Sequence, residues 1–313
     1  MRSKLLIFLQ IITTVALLAW LVSLVPAQAW ENLTTISPLY FMAATASLIA
    51  CQAIGAFRLQ RIFLRTLPQA GFLLIFKSTW LGYFCSSFLP GSIGGDAVKF
   101  VWLKRALGQG PAVLAGMVME RAVSFSITLA VALWALAGLS LHLDLTRWAG
   151  LRAWLPLFAL AGAALALAFL LLTRYARPDR TVRLRGHMRT FWRTLRLWRQ
   201  SPALTAETAA LSLLSLVFAG AGVLAPLCWA VGYEITALQA VWCISLVTVI
   251  TLVPVTVNGL GVYEAGLTSF LTASGCPLAE AAQAAILMRL VIIAAALPGA
   301  LWLRPLWRPG RRE

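Results

Sequence analysis

Residues 281–303 read AAQAAILMRLVIIAAALPGALWL, an apolar stretch broken by a single charge, Arg289. Roughly 20 such residues cross the hydrocarbon core of a bilayer as a helix, so this run reads as a membrane span. On its N-terminal side, comparable runs occupy 5–25, 38–57, 71–89, 112–138, 153–173, 209–231 and 237–257. Eight hydrophobic segments in 313 residues leave no soluble domain over. With 61% apolar residues, 12% charged residues and thirteen Trp, the chain reads as one all-α, polytopic integral membrane domain over 1–313.

The net charge of +16 does not point to nucleic acid, because the Lys and Arg lie in short segments between apolar runs, where they set membrane orientation. That count places Arg58, Arg61 and Arg65, the Arg-rich loop 174–208, and the tail with Arg304, Arg308, Arg311 and Arg312 in the cytosol. Segment 70–111 closes on Lys99, Lys104 and Arg105, which a simple span at 71–89 would strand outside, so this segment is expected to enter and return. The same count makes 237–273 enter and leave from the outer face. The expected topology is about six full spans plus two broken re-entrant hairpins inserted from opposite faces. The expected location is a bacterial cytoplasmic (inner) membrane, with both termini cytosolic. Ala27-Gln28-Ala29 resembles a signal-peptidase site, but the apolar core before it exceeds the roughly 7–15 residues of a signal peptide, which favours an uncleaved anchor. Within 174–208, Met188, Phe191, Trp192, Leu195 and Trp198 recur at helical spacing beside Arg189, Arg193 and Arg196. They read either as a basic amphipathic helix on the cytosolic leaflet or as a loop that simply obeys the charge rule.

Each hairpin turns through a Gly-rich break. The first runs Phe88-Leu89-Pro90-Gly91-Ser92-Ile93-Gly94-Gly95-Asp96-Ala97-Val98-Lys99, the second Val253-Pro254-Val255-Thr256-Val257-Asn258-Gly259-Leu260-Gly261-Val262-Tyr263-Glu264. Pro removes a donor and Gly frees the backbone, so in both a helix stops and a carboxylate opens the next. Sliding the chain by 168 residues superposes Gly91 on Gly259, Asp96 on Glu264, Leu103 on Leu271 and Arg121 on Arg289. Each carboxylate thus precedes an arginine by 25 residues. Opposite insertion and a repeated unit together describe the inverted-repeat plan of many transporters, whose substrates bind between discontinuous helices near the midplane.

Glu120, Arg121 and Arg289 stand inside apolar runs, where a charge costs about 2.5–3.5 kcal/mol. Neighbours on a helix point about 100° apart, so Glu120 and Arg121 each need another partner. The expected pairs are Asp96 with Arg121 and Glu264 with Arg289, around a polar cavity. In the plainer reading the two carboxylates only cap helix N-termini and the arginines only satisfy freed carbonyls. Lys99, one turn after Asp96, is a candidate for a headgroup phosphate, and Asn258 and Tyr263 are candidate hydrogen-bond donors. The half-helix N-termini at Gly94-Gly95 and Gly259 to Gly261 would meet an anion. Five cysteines without a Cys-x-x-Cys, two histidines and no Gly-x-x-x-x-Gly-Lys-Ser/Thr loop leave no metal, cofactor or nucleotide machinery to expect, and no catalytic group.

Four marks together, the Leu89-Pro90-Gly91 to Gly95-Asp96 turn, the Glu120-Arg121 pair, the Gly259-Leu260-Gly261 to Glu264 turn, and Arg289 followed by Leu297-Pro298-Gly299, resemble the flippase-like transmembrane domain of bacterial lysylphosphatidylglycerol synthases and its stand-alone relatives. In that family Gly is common where Asn258 stands, and Arg is common at the positions of Tyr263 and Lys99, departures that leave the headgroup chemistry open. The resemblance implies translocation of an aminoacylated or otherwise modified lipid between leaflets, or a related role with glycolipid, polyprenyl or hopanoid partners. Synthesis is not expected of a chain without the synthases' soluble aminoacyl-transfer domain. Two rivals stand beside the flippase reading. One is an intramembrane transferase or hydrolase acting on lipid-linked phosphate, with Asp96 or Glu264 as base. The other is a non-catalytic subunit that scaffolds a cell-envelope enzyme.

Overall fold

The structure, a computed structural model, describes residues 37–88, 94–142, 201–251 and 259–303. Among them every regular element is helical, as the composition requires. The helices are α1 (Pro38–Phe63), α2 (Phe72–Phe88), α3 (Gly94–Leu107), α4 (Gly110–His142), α5 (Pro202–Ala230), α6 (Ala237–Ile250), α7 (Val262–Ala273) and α8 (Leu278–Ala296). A tighter 3-10 turn, Leu297–Trp302, prolongs α8.

Local chemistry sets the boundaries. α1 and α5 open on Pro38 and Pro202, at a position whose N–H has no helical partner to lose. Before α6, Thr236 accepts from the Gln239 N–H at 3.3 Å while the Gln239 side chain accepts from the Thr236 N–H at 3.1 Å, a reciprocal cap. Asp96 in the first turn of α3, and Lys104 and Arg105 in its last, complement the helix dipole. Because α5 begins at Pro202, residues 202–208 are its first turns rather than the end of a loop.

Among the described residues, four helices are long and apolar enough to cross a membrane: Pro38–Phe63, Gly110–Leu136, Pro202–Ala230 and Leu278–Trp302. By contrast α2, α3, α6 and α7 hold 17, 14, 14 and 12 residues. At about 1.5 Å per residue they reach only about 18–26 Å, short of the ~30 Å hydrocarbon core. Between α6 and α7 the chain turns at Gly259 and Gly261, both at positive φ, while residues 89–93 of the first break and 252–258 of the second lie outside the described residues. The helix starts keep the offset read from the sequence, since Gly94 and Val262, and Gly110 and Leu278, are each separated by 168 residues. The apolar runs 5–25 and 153–173, the basic stretch up to residue 200, the tail from 304, and Asn258 lie outside the described residues.

The residues group into two compact units. In the unit of 54–75 and 103–214, the ring of Phe63 fills the place a side chain on Gly116 would take, and Leu59, Val113 and Met119 are buried. In the unit of 1–53, 76–102 and 215–313, α7 packs against both α6 and α8, and α6 packs against a widened π turn of α5, Phe218–Leu224. Pro226 has no N–H to return to the preceding turn, and the Ala225 N–H bonds to the Gly220 carbonyl instead. Ser47 of α1 donates to the Phe218 carbonyl at 3.2 Å, taking up an acceptor in the widened turn.

Candidate functional site

The residue before α7 must turn the chain sharply, and Gly261 does so at φ 83°, a left-handed conformation that a side chain would resist. Glu264 then stands in the first turn of α7 and reaches back, its Oε2 accepting the Gly261 N–H at 2.7 Å. Its other oxygen, Oε1, receives both Nε and NH2 of Arg289 from α8. The carboxylate is therefore a cap and an ion partner at once, rather than the cap alone of the plainer reading. Glu264 is 1% exposed and the Arg289 side chain 17%, so the arginine keeps the more open end of the pair. The Tyr263 ring lies 5.6 Å from Arg289 Cζ, within cation–π range.

α2 brings a further aromatic residue to this place. Trp80 donates its indole N–H to the Ala295 carbonyl at 2.8 Å and meets Trp302 ring to ring at 5.5 Å. Gly299 lies against the backbone of Trp80 and against Phe84. The Leu297-Pro298-Gly299 motif is thus the place where α8 tightens and receives α2. Sequence reasoning missed Trp80, since an aromatic in an apolar run carries no signal of its own.

At the first break, Gly94 opens α3, Gly95 is buried and Asp96 is half-buried. A Cβ on Gly95 would stand 2.2 Å from the Gly82 carbonyl oxygen and 1.9 Å from Ser86 Oγ, so this glycine serves the close approach of α3 to α2. Lys99 is buried one turn later. Asp96 belongs to one compact unit and Arg121, exposed on α4, to the other.

Glu120 has a partner that the sequence did not indicate. Arg58 NH2 donates to Glu120 Oε1 at 2.9 Å and Arg58 NH1 donates to Ser212 Oγ at 2.9 Å, joining α1, α4 and α5. Arg61 pairs with Glu207 at 2.6 Å in a half-exposed bridge. Arg58 and Arg61, which the charge count expects on the cytosolic side, both lie within the last turns of α1, held there by carboxylates of α4 and α5. All five cysteines are free and buried, as small apolar residues are. Among the described residues, no group of three His, Cys, Asp or Glu is placed to hold a metal ion.

Long apolar helices, short interrupted ones between them and buried ion pairs define a polytopic helical membrane protein. The chain belongs to the family described as Lysylphosphatidylglycerol synthase TM region, whose profile matches residues 7–299. Comparison with curated proteins and with solved structures gives no match.

Proposed function

We propose that this protein moves an anionic or modified phospholipid, or a lipid-linked intermediate, between the leaflets of the bacterial inner membrane and leaves its chemistry unchanged. The observation that carries the reading is the Glu264–Arg289 pair at the N-terminus of α7, a helix too short to span. A half-helix N-terminus favours an anion, and a charge pair inside an apolar fold is the usual mark of a pathway for a polar group. Six full spans and two re-entrant hairpins inserted from opposite faces, related as inverted repeats, complete the proposal. The 168-residue offset of helix starts and the shortness of α2, α3, α6 and α7 support it. The partners that membership of the family suggests are aminoacylated phospholipids, with polyprenyl or hopanoid lipids and an envelope-biosynthesis enzyme as further ones.

The test is transfer of fluorescent anionic and aminoacylated phospholipids in proteoliposomes, with native protein, Arg289→Ala and Glu264→Ala at matched incorporation. Movement lost in both variants, with lipid mass unchanged, is the expected result. A changed lipid mass would select a transferase or hydrolase. No movement for any lipid would leave the scaffold role, to be followed by mild-detergent pull-down of enzyme partners.

A further inference from the structure

The first turn of α7 offers two neighbouring side chains to one cation. Neighbours on a helix point about 100° apart, so Tyr263 and Glu264 leave α7 in different directions. Arg289 of α8, which packs against α7 in the same compact unit, meets both. The carboxylate grips the guanidinium through a single oxygen: Oε1 accepts the Nε–H and pairs with NH2, while Oε2 is engaged by the Gly261 N–H. A grip through one atom is a pivot. It sets where the guanidinium sits and leaves its plane able to tilt about that atom, whereas a fork that used both oxygens would fix the plane as well. The second contact is the Tyr263 ring, with Arg289 Cζ over it at 5.6 Å from the centroid. An aromatic face attracts a cation through its quadrupole, so the ring supplies the constraint that the single oxygen lacks. The sequence suggested the hydroxyl of Tyr263 as a donor; the contact with Arg289 is made by the ring.

We propose that Tyr263 is a positioning residue: its ring face, not its hydroxyl, holds the Arg289 guanidinium at the tilt in which it meets the phosphate of a lipid headgroup. A guanidinium presents its donors in one plane, matched to the oxygens of a phosphate, so its tilt decides whether those bonds form. Gly261 belongs to the same device. Its left-handed turn at φ 83° starts α7 where both side chains reach α8. This inference rests on the reading of the Glu264–Arg289 pair as a headgroup site and adds the residue that sets the orientation of its cation.

The experiment is native mass spectrometry of the full chain in mild detergent, titrated with phosphatidylglycerol and with diacylglycerol of the same acyl chains. Tyr263→Leu keeps an apolar side chain without an aromatic face, and is expected to weaken phosphatidylglycerol binding about fivefold, the scale of one cation–π contact. Diacylglycerol retention should not follow. Tyr263→Phe returns the ring without the hydroxyl and should recover most of the loss. In a background without the cation, Glu264→Gln with Arg289→Gln, Tyr263→Leu should add no further loss, since the ring then has nothing to hold. Equal losses in Tyr263→Phe and Tyr263→Leu would make the hydroxyl the group that acts and overturn the inference. A loss shared by diacylglycerol, or one that persists in the background without the cation, would make Tyr263 a packing residue and overturn it as well. Native-like binding by Tyr263→Leu while Arg289→Gln loses phosphatidylglycerol would overturn it too, and would leave the headgroup reading standing. Native-like binding by Arg289→Gln would remove both.

Discussion

Arg289 donates its Nε–H to one oxygen of Glu264 and pairs its NH2 with that same oxygen, and the other oxygen of the carboxylate takes the Gly261 N–H. The break in the chain, the start of α7 and the docking of α8 therefore depend on a single side chain. Removing one member of a buried pair leaves the other charge uncompensated, at a cost of about 3 kcal/mol or more. Glu264→Ala should lower stability by that order, and Glu264→Gln by less, because the amide oxygen still accepts from Gly261. Adding Arg289→Gln to Glu264→Gln should recover part of the loss. Unfolding in mixed micelles measures all three, and a double variant less stable than either single one would contradict the coupling.

The two ion pairs of α1 should differ sharply in weight. Arg58 and Glu120 are nearly buried, their side chains 8% and 10% exposed, whereas Arg61 and Glu207 are 38% and 34% exposed. Glu120→Gln strands a buried guanidinium and is expected to cost about 3 kcal/mol. Glu207→Gln opens a solvated bridge and should cost under about 1 kcal/mol. Thermal midpoints of the two variants in one detergent compare them directly. Equal shifts would mean that burial does not govern these bridges.

Much of this architecture was legible because a bilayer asks for long apolar runs: α1, α2, α4, α5, α6 and α8 overlap those runs, while α3 and α7 lie outside them, after the two Gly-rich breaks. Glu264 and Arg289 were legible as partners because a charge in such a run demands a countercharge, and the second break supplied one. Arg58 was not. Counting positive charges treats an arginine at the end of an apolar run as part of a connection, and nothing local announces that Glu120, 62 residues away, will meet it. Gly82 was hidden for another reason. The polar and apolar residues of α2 are not sorted onto separate faces, so periodicity does not reveal which face meets α3.

Gly95→Ala is expected to push α2 and α3 apart. Its Cβ would lie 2.2 Å from the Gly82 carbonyl oxygen, which belongs to backbone and cannot rotate away. Overpacking of this kind costs about 1–3 kcal/mol. Gly55 in α1 is the control, since a Cβ there meets nothing within 4 Å. Gly55→Ala should therefore stabilise by roughly 0.5–1 kcal/mol through helix propensity alone. Opposite signs in the two unfolding midpoints are the expected outcome, and a tolerated Gly95→Ala would count against the close approach.

The proposed topology makes a last prediction at two exposed positions, Lys104 near the end of α3 and Glu234 between α5 and α6. If the hairpins enter from opposite faces, Lys104 lies in the cytosol with the other basic residues and Glu234 faces outward. With the five buried native cysteines replaced, Glu234→Cys should react with a membrane-impermeant maleimide in intact cells. Lys104→Cys should react only after permeabilisation. Labelling of Lys104→Cys from outside would mean that α2 and α3 do not return to the side they entered, and the inverted repeat would lose its opposed insertion. Labelling of Glu234→Cys only from inside would reverse α5. That would put the α5–α6 turn on the same side as Lys104 and leave the two hairpins entering from one face.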